Sequence, residues 1–548
     1  MAPDTARGAS FAHREARLTG SDERSRSRAP RGQLRRDARF VYAGIVLTAW
    51  VLAALREISA QAPSAGAQQA HPSHAPTSAD TLRRREAAVH VGFELLQLPA
   101  NESIGLFGTA YLVPLGAGLS VGPSVYGAVT GSRGGLFTLG AEVSWRRALA
   151  GALSLNAGVY AGGGGGGGAP VGGGLMVRPH ADLLWEVGAV SVGLSYARVR
   201  FVTGQIDGQQ FGIVVRTPAD FRYVALEQLH APVAPSARSG LGFERVHATI
   251  GAYRPLDGAR RASGAPLNAT IGLVGVRGEQ SLGGGGYWGI EAAGAATGGA
   301  TGYAEYLATI GARSTLPGDR VGFGARFAVG MGGGGDVDVG GGLLVRAGAE
   351  WSIGLSDDIG LVLESGLTAA PEGSFKAQYA SLALRWVLDD GVQTASAVSS
   401  VRTEWFGGVE QYTAARKDGS TRPLQSVVLR VNRFVAPVVY VTGQARSAAG
   451  GGAGGYTVGL FGVGAQGALS GGWTAAAELL LGAAGGGGVD TGSGIVTQPM
   501  AYLGYEAPSG IAARFGAGRI RAVSGALSGT VVELSVGFVF GVPARRAH

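Results

Sequence analysis

One glycine-rich element recurs three times in this 548-residue sequence, and each copy leads into a run of alternating apolar and polar residues. Residues 159–178 read VYAGGGGGGGAPVGGGLMVR, residues 329–346 read VGMGGGGDVDVGGGLLVR, and residues 481–498 read LGAAGGGGVDTGSGIVTQ. The heptapeptides GGGLMVR (172–178) and GGGLLVR (340–346) match at six of seven positions. In the third copy Gly494, Ile495 and Val496 stand in the corresponding place, with Gln498 where the others carry Arg. The copies lie 168 and then 152 residues apart. That spacing is too long for a solenoid repeat and fits a multi-strand module used three times.

The runs after the glycines have period two. In the first, Leu175, Val177, Pro179, Ala181, Leu183, Trp185 and Val187 alternate with Met176, Arg178, His180, Asp182, Leu184 and Glu186. In the second, Leu343, Val345, Ala347, Ala349, Trp351 and Ile353 alternate with Leu344, Arg346, Gly348, Glu350 and Ser352. In the third, Ile495, Pro499, Ala501, Leu503 and Tyr505 alternate with Gln498, Tyr502 and Glu506. Residues 136–145 set Phe137, Leu139, Ala141, Val143 and Trp145 against Thr138, Glu142 and Ser144. Successive side chains of a strand point to opposite faces, so each run has an oily face and a polar, charge-bearing one. The runs exceed the ~5–6 residues usual for soluble strands and approach the ~9–11 of a membrane strand.

Composition narrows the choice. With 98 Gly, helices are disfavoured, yet 46% of residues are hydrophobic and only 15% charged, the opposite of a disordered chain. There is no Cys, which excludes a disulfide scaffold and thiolate metal sites. Of the net charge of +8, eleven Arg against six acidic residues in residues 1–62 account for five, leaving +3 for the rest. That is no electrostatic footprint for nucleic acid, and none is expected as a partner.

The N-terminal region has the order of an export signal: a basic stretch (24–39), a 16-residue apolar run (40–55), then small-residue cleavage patterns at 60–62 and 65–67. Residues 1–62 are therefore expected to be a targeting segment cleaved near 62–67, and residues 63–87 a linker. Three modules follow, at 88–242, 243–400 and 401–548. Each holds about eight strands, separated by turn clusters such as those at 317–319 and 389–391.

The last strand reads VVELSVGFVF (531–540) and puts Val532, Leu534, Val536, Phe538 and Phe540 on one face. Here the sequence resembles bacterial outer-membrane β-barrel proteins, whose final strand carries alternating hydrophobics and a terminal aromatic. The resemblance covers about residues 88–540, and eight further residues, GVPARRAH, follow Phe540. It implies an all-β transmembrane antiparallel barrel in the bacterial outer membrane, bounded by outer-membrane lipid. It also implies that the five residues are the signal read by the barrel-assembly machinery. The three modules are expected to join in one barrel of about 24 strands, within the known range. The alternative is three small eight-stranded barrels in tandem. The join at about 389–400, short for a crossing between separate barrels, favours the single barrel.

No catalytic, cofactor or metal constellation is present in the sequence, and no enzyme is expected. His90, His180, His230, His247 and His548 lie in no metal-ligand spacing. Gly118-Leu119-Ser120-Val121-Gly122 matches a nucleophile elbow, but Pro123 follows at once and the next residues read as strand rather than the required helix. The polar-face residues Glu142, Arg178, His180, Asp182, Glu186, Arg346, Glu350 and Glu506 are candidates for a wet lumen wall, or for ordinary cross-strand pairing. Trp145, Trp185, Trp288, Trp351, Trp386 and Trp405 are candidates for interfacial girdles.

The glycine elements, 162–168, 332–335 and 485–488, are expected to join the fifth and sixth strands of each module. Their limits are Gly162 and Gly168, Gly332 and Gly335, and Gly485 and Gly488. With both termini periplasmic they would stand at the outer mouth and curl over the lumen. The expected function is a passive channel for small solutes narrowed by these hairpins. The alternative is a non-conducting structural or surface-anchoring barrel that binds a surface or periplasmic protein.

Overall fold

The computed structural model describes residues 82–229, 232–233, 242–316, 320–388 and 398–544. The expected targeting segment, most of the expected linker and the turn clusters at 317–319 and 389–391 lie outside the described residues.

The chain is built of long antiparallel strands. The first eight are β1 (Leu82–Leu98), β2 (Glu102–Gly116), β3 (Leu119–Thr130), β4 (Phe137–Ala148), β5 (Leu153–Gly165), β6 (Met176–Val187), β7 (Val190–Phe201) and β8 (Asp207–Val224). Each pairs with the next, and β8 returns to β1 in a register running from Leu82↔Val224 to Glu94↔Gly212. These eight strands therefore form a closed ring, ring 1. A two-residue strand, β9 (Pro232–Val233), follows.

The next eight are β10 (Arg245–Pro255), β11 (Ile271–Gly283), β12 (Gly286–Ala295), β13 (Ala304–Thr315), β14 (Val321–Gly333), β15 (Leu343–Gly354), β16 (Ile359–Ala369) and β17 (Lys376–Val387). They close as ring 2 through β10 and β17, from Arg245↔Val387 to Pro255↔Ala377. The last eight are β18 (Val398–Ala415), β19 (Thr421–Phe434), β20 (Val439–Ala448), β21 (Thr457–Ala468), β22 (Trp473–Gly485), β23 (Ile495–Glu506), β24 (Ile511–Ala522) and β25 (Ser528–Ala544). They close as ring 3 through β18 and β25, from Ser399↔Ala544 to Gln411↔Val532. The residues after Phe540 extend this last strand, with Gly541 and Pro543 in its ladder.

The all-β antiparallel architecture and the 24 ring strands among the described residues agree with the sequence. The single wide barrel does not: the strands close in eights. The short join between the second and third modules is no obstacle, because every ring begins and ends at the same end of its cylinder. Ten residues extend ~33 Å, enough to pass between neighbouring rings without crossing the length of either. At this terminus end β9 pairs with β18, and Gly541 pairs with Val224, so rings 1 and 3 are also joined by main-chain bonds.

Period-two patterning fixes which face goes inward. In β6, Met176, Arg178, His180, Asp182 and Leu184 are buried, while Leu183, Trp185 and Val187 stay exposed on the outside. In β25, Val532, Leu534, Val536 and Phe538 are exposed, and Glu533 and Ser535 are buried between them. Charge inside and hydrocarbon outside is the reverse of a water-soluble protein and the pattern of a barrel solvated by lipid.

Candidate functional site: filled ring interiors and a glycine collar

An eight-stranded ring has an interior just wide enough for side chains to fill. Here it is filled by arginine, glutamate and tyrosine. In ring 1, Arg178 is ion-paired with Glu94, and its Nη1 donates to Tyr126 Oη at 3.1 Å. Tyr126 in turn donates to Glu142 at 3.2 Å. His180 lies between Glu142, 3.4 Å from Nε2, and Asp182, 3.1 Å from Nδ1. Asn156 donates to Asp182 at 2.8 Å, and Gln210 donates to Glu94 at 2.9 Å. The free space among these groups is about 20 Å³, roughly that of one water molecule.

Ring 2 is the most heavily charged. Arg277 reaches Glu279 at 3.0 Å, Glu350 at 3.1 Å and Glu364 at 2.8 Å. Arg313 bridges Glu279 and Glu350 at 3.2 and 3.1 Å. Arg326 binds Glu291 and Glu364, each at 2.5 Å. Arg346 pairs with Glu291 and, at 2.5 Å, with Glu305, which also accepts from Tyr253 at 2.7 Å. All of these groups but the partly buried Arg313 are buried, and with four arginines against five glutamates the charges nearly cancel.

Ring 3 repeats the chemistry with other positions. Arg430 pairs with Glu478 at 3.1 Å and Glu533 at 2.8 Å, and Arg446 pairs with Glu410 at 3.0 Å. Gln498, which stands where the other copies have Arg, accepts from Arg446 at 3.2 Å. The cation has moved from the sixth strand to the third, and the network is kept.

Of the eight polar residues singled out in the sequence, Glu142, Arg178, His180, Asp182, Arg346 and Glu350 are buried inside their rings. Glu186 instead lies exposed at the terminus end and pairs with Arg146 at 2.8 Å. Glu506, also near that end, pairs with Arg402. Sequence reasoning missed Arg277, Arg326 and Glu291 in ring 2 and Arg430 and Arg446 in ring 3. Each sits at an inward position of an alternating strand, and that parity was the available signal.

The glycine elements join β5 to β6, β14 to β15 and β22 to β23, the fifth and sixth strands of each ring, at the end opposite the termini. They do not curl over the lumen of one wide barrel, since the strands close in three separate rings. Each one meets the hairpin between the third and fourth strands of a neighbouring ring. From ring 1, the carbonyls of Gly164 and Gly172 accept from Gly455 and Gly454 of ring 3, both at 3.0 Å. From ring 2, Gly340 accepts from Gly134 of ring 1 at 2.9 Å. From ring 3, Gly492 accepts from the Thr301 hydroxyl of ring 2 at 3.0 Å.

The contact therefore runs from ring 1 to 3, from 3 to 2 and from 2 to 1, and closes on itself as a collar. Its closeness explains the composition: a Cβ on Gly333 would lie 2.5 Å from Gly135 N, and one on Gly485 would overlap Gly302 N. Gly162 and Gly332 lie in the strands entering the hairpins. Gly168, Gly335 and Gly488 have positive φ in the hairpins themselves. Gly168 also accepts from Arg133 at 2.8 Å, and Gly488 accepts from Lys417 N at 2.9 Å.

Below the collar the ring contacts differ. Rings 1 and 2 meet through Phe93, Phe107, Val129 and Phe137 against Val329 and Met331. Rings 1 and 3 meet near the terminus end, where Phe540 packs on Phe221 at 5.2 Å and on Trp405 at 5.5 Å. So Phe540, expected to share the outer face of the assembly strand, is buried between two rings. Trp405 belongs to this contact, and Trp288 donates to Gln280 at 2.7 Å. The exposed tryptophans Trp145, Trp185, Trp351 and Trp386, with Trp473, all stand near the terminus end of their strands, as an interfacial girdle would.

Among the described residues no group of three or more His, Asp or Glu is placed to hold a metal ion. Ser120 lies within β3 with no helix after it, so the GxSxG match does not form an elbow.

No protein-family model and no curated protein matches the sequence. Among solved structures, the chain is similar to the outer-membrane protein OpdK of Pseudomonas aeruginosa. The identity is 9% and the TM-score 0.21, over 85% of this chain and 100% of that one. It is also similar to OccK11 (OpdR) of P. aeruginosa, at 11% identity and a TM-score of 0.20 over 85% and 97% of the two chains. For OccAB3 of Acinetobacter baumannii the figures are 10%, 0.20, 84% and 99%. On its own strand architecture, the chain is an all-strand barrel protein, consistent with a bacterial outer-membrane β-barrel protein.

Proposed function

We propose that the chain is a non-enzymatic integral protein of the bacterial outer membrane, exported by its N-terminal segment and inserted by the barrel-assembly machinery. Its three rings span the bilayer side by side as a non-conducting scaffold. The terminus end with its tryptophans faces the periplasm, and the glycine collar stands outside. One observation carries the reading: each ring interior is occupied by buried side chains of opposite charge that pair with one another, Arg178 with Glu94, Arg277 with Glu364 and Arg430 with Glu533. A scaffold of this kind presents its collar and loops to a surface or periplasmic protein. The outward residues Val532, Leu534, Val536 and Phe538 remain available on the last strand as an assembly signal.

The polar interiors favour a second reading, a channel for small solutes running through one ring once its network rearranges. Planar-bilayer recording of the purified chain separates the two. Silence in wild type, with conductance steps appearing when Arg277 and Glu364 are both cut back to alanine, supports the scaffold. Steady steps in wild type refute it. Recovery from the outer-membrane fraction with heat-modifiable gel mobility tests the location.

A further inference from the structure

Where the three rings face one another below the collar, they leave a cleft of about 410 Å³. That lies within the ~300–1,000 Å³ range of ligand sites. Its walls are the outer faces of β4, β11–β13 and β19–β22, with Leu139, Val274, Ala292, Leu429, Ala445 and Ala483 facing across it. Gly302 and Gly485 close its upper end as part of the collar. Arg430, Gln444 and Arg446 border it but turn their side chains into ring 3, onto Glu478 and Gln498. What remains is mostly apolar surface, with the rings of Tyr306 and Phe461 and the hydroxyl residues Ser447 and Thr457 also in its lining.

Water gains little along most of these walls, because a buried water needs about two to four polar partners. Leaving the cleft empty forfeits dispersion contacts along every wall. The walls continue the same outward faces that elsewhere are exposed as Leu481 and Ile290. Given the membrane reading above, on which this rests, those faces meet hydrocarbon. We infer that the cleft is a binding site for an acyl chain of one membrane phospholipid, held between the rings and capped by the collar.

The test uses the full chain purified from outer membranes in mild detergent, with palmitoyl-oleoyl phosphatidylglycerol added, and native mass spectrometry. Wild type is expected to keep one phospholipid adduct at collision energies that strip the rest. Ala445→Phe, which fills the cleft, is expected to lose it. Ala513→Phe, placed on an exposed outer position of β24, is expected to retain it. If Ala445→Phe fails to show the folded gel mobility, Ala292→Leu fills the cleft from ring 2 and takes its place. Equal adducts in wild type and the cleft-filled variant, or an adduct with the mass of a free fatty acid, overturn the inference. A membrane-inserted chain without any retained adduct overturns it too and leaves the membrane reading standing. A chain found soluble in the periplasm overturns both.

Discussion

Replacing Gly333 by alanine puts one methyl group where two rings touch. Its Cβ would lie 2.5 Å from Gly135 N and 2.7 Å from the Gly134 carbonyl carbon, both main chain, so no side chain can swing away. Gly333 also has φ +144°, a region that costs a residue with a side chain roughly 1–3 kcal/mol. Backing the hairpins apart breaks the bond from Gly134 N to Gly340 O, 2.9 Å long, worth about 0.5–1.5 kcal/mol. Together the loss is roughly 2–4 kcal/mol. Gly467→Ala is the control: a Cβ there meets nothing within 4 Å, and its φ is not positive. At such a site alanine is neutral to stabilising by about 0.4–1 kcal/mol. Gly485→Ala meets the same kind of main-chain overlap without the positive φ, and falls between the two. The assay is urea unfolding of the chain inserted in phospholipid vesicles, read by the heat-modifiable mobility shift. The collar account predicts midpoints in the order Gly467→Ala, Gly485→Ala, Gly333→Ala, highest first. A Gly333→Ala midpoint equal to that of Gly467→Ala refutes it.

The interiors, the lower contacts and one loop carboxyl make further predictions. Arg277→Met strips four glutamates of a shared partner and costs about 3–5 kcal/mol in the same titration. Arg84→Met, which breaks an exposed pair with Asp220, costs at most about 1 kcal/mol. Phe540→Ala, emptying the seam between rings 1 and 3, lowers the midpoint by more than Phe538→Ala, whose ring is exposed. Glu372, in the loop between β16 and β17, is pushed above the usual carboxylate range by burial, against which the Gly131 N–H at 3.1 Å pulls down. A carboxyl raised in the folded state holds its proton more tightly there than unfolded, so its contribution improves as pH falls through the folded value and is worst above it. Glu372→Gln keeps the acceptor for Gly131; its midpoint gain over wild type is largest at neutral pH and shrinks on acidification. A gain that does not vary with pH contradicts this.

Strands, their faces and the position of the glycine hairpins were legible because each is a local property. Alternation in residues 175–187 states which side chains share a face, and the structure places Arg178, His180 and Asp182 together on the inner one. Ring closure was not legible, since neighbours along the chain pair in either architecture. One barrel and three differ only in the partner of each module's first strand: β8 for β1, β17 for β10 and β25 for β18. One physical signal bore on that choice. A wide lumen is filled by water, whereas inward residues of an eight-stranded ring must reach across and satisfy one another. Long, charge-matched inward side chains such as Arg277, Glu279, Glu291 and Arg346 suit the small ring. Phe540 was misplaced for a different reason: period two assigns a face, but whether that face meets lipid or another ring depends on how the rings are set against each other.

The collar bears on why three closed rings stay together. A hairpin that docks on a different surface of its neighbour is a heterologous contact, and such contacts either extend without limit or close. Here the contact closes after three, and all three partners lie in one chain, so no copy is left with an unused docking surface among the described hairpins. Below the collar the demand for likeness ends. The ring 1–ring 2 contact is packed with phenylalanine, and the ring 1–ring 3 contact is packed with aromatics and tied by main-chain pairing at Gly541 and Val224. Rings 2 and 3 face each other with Ala292 and Gly294 against Ala483. Small residues on both sides of a contact whose upper edge is fixed by the collar leave a gap that the protein itself does not fill. The cleft is thus a consequence of one shared contact at the top and unequal side chains beneath it, and widening those side chains on either ring is the direct way to close it.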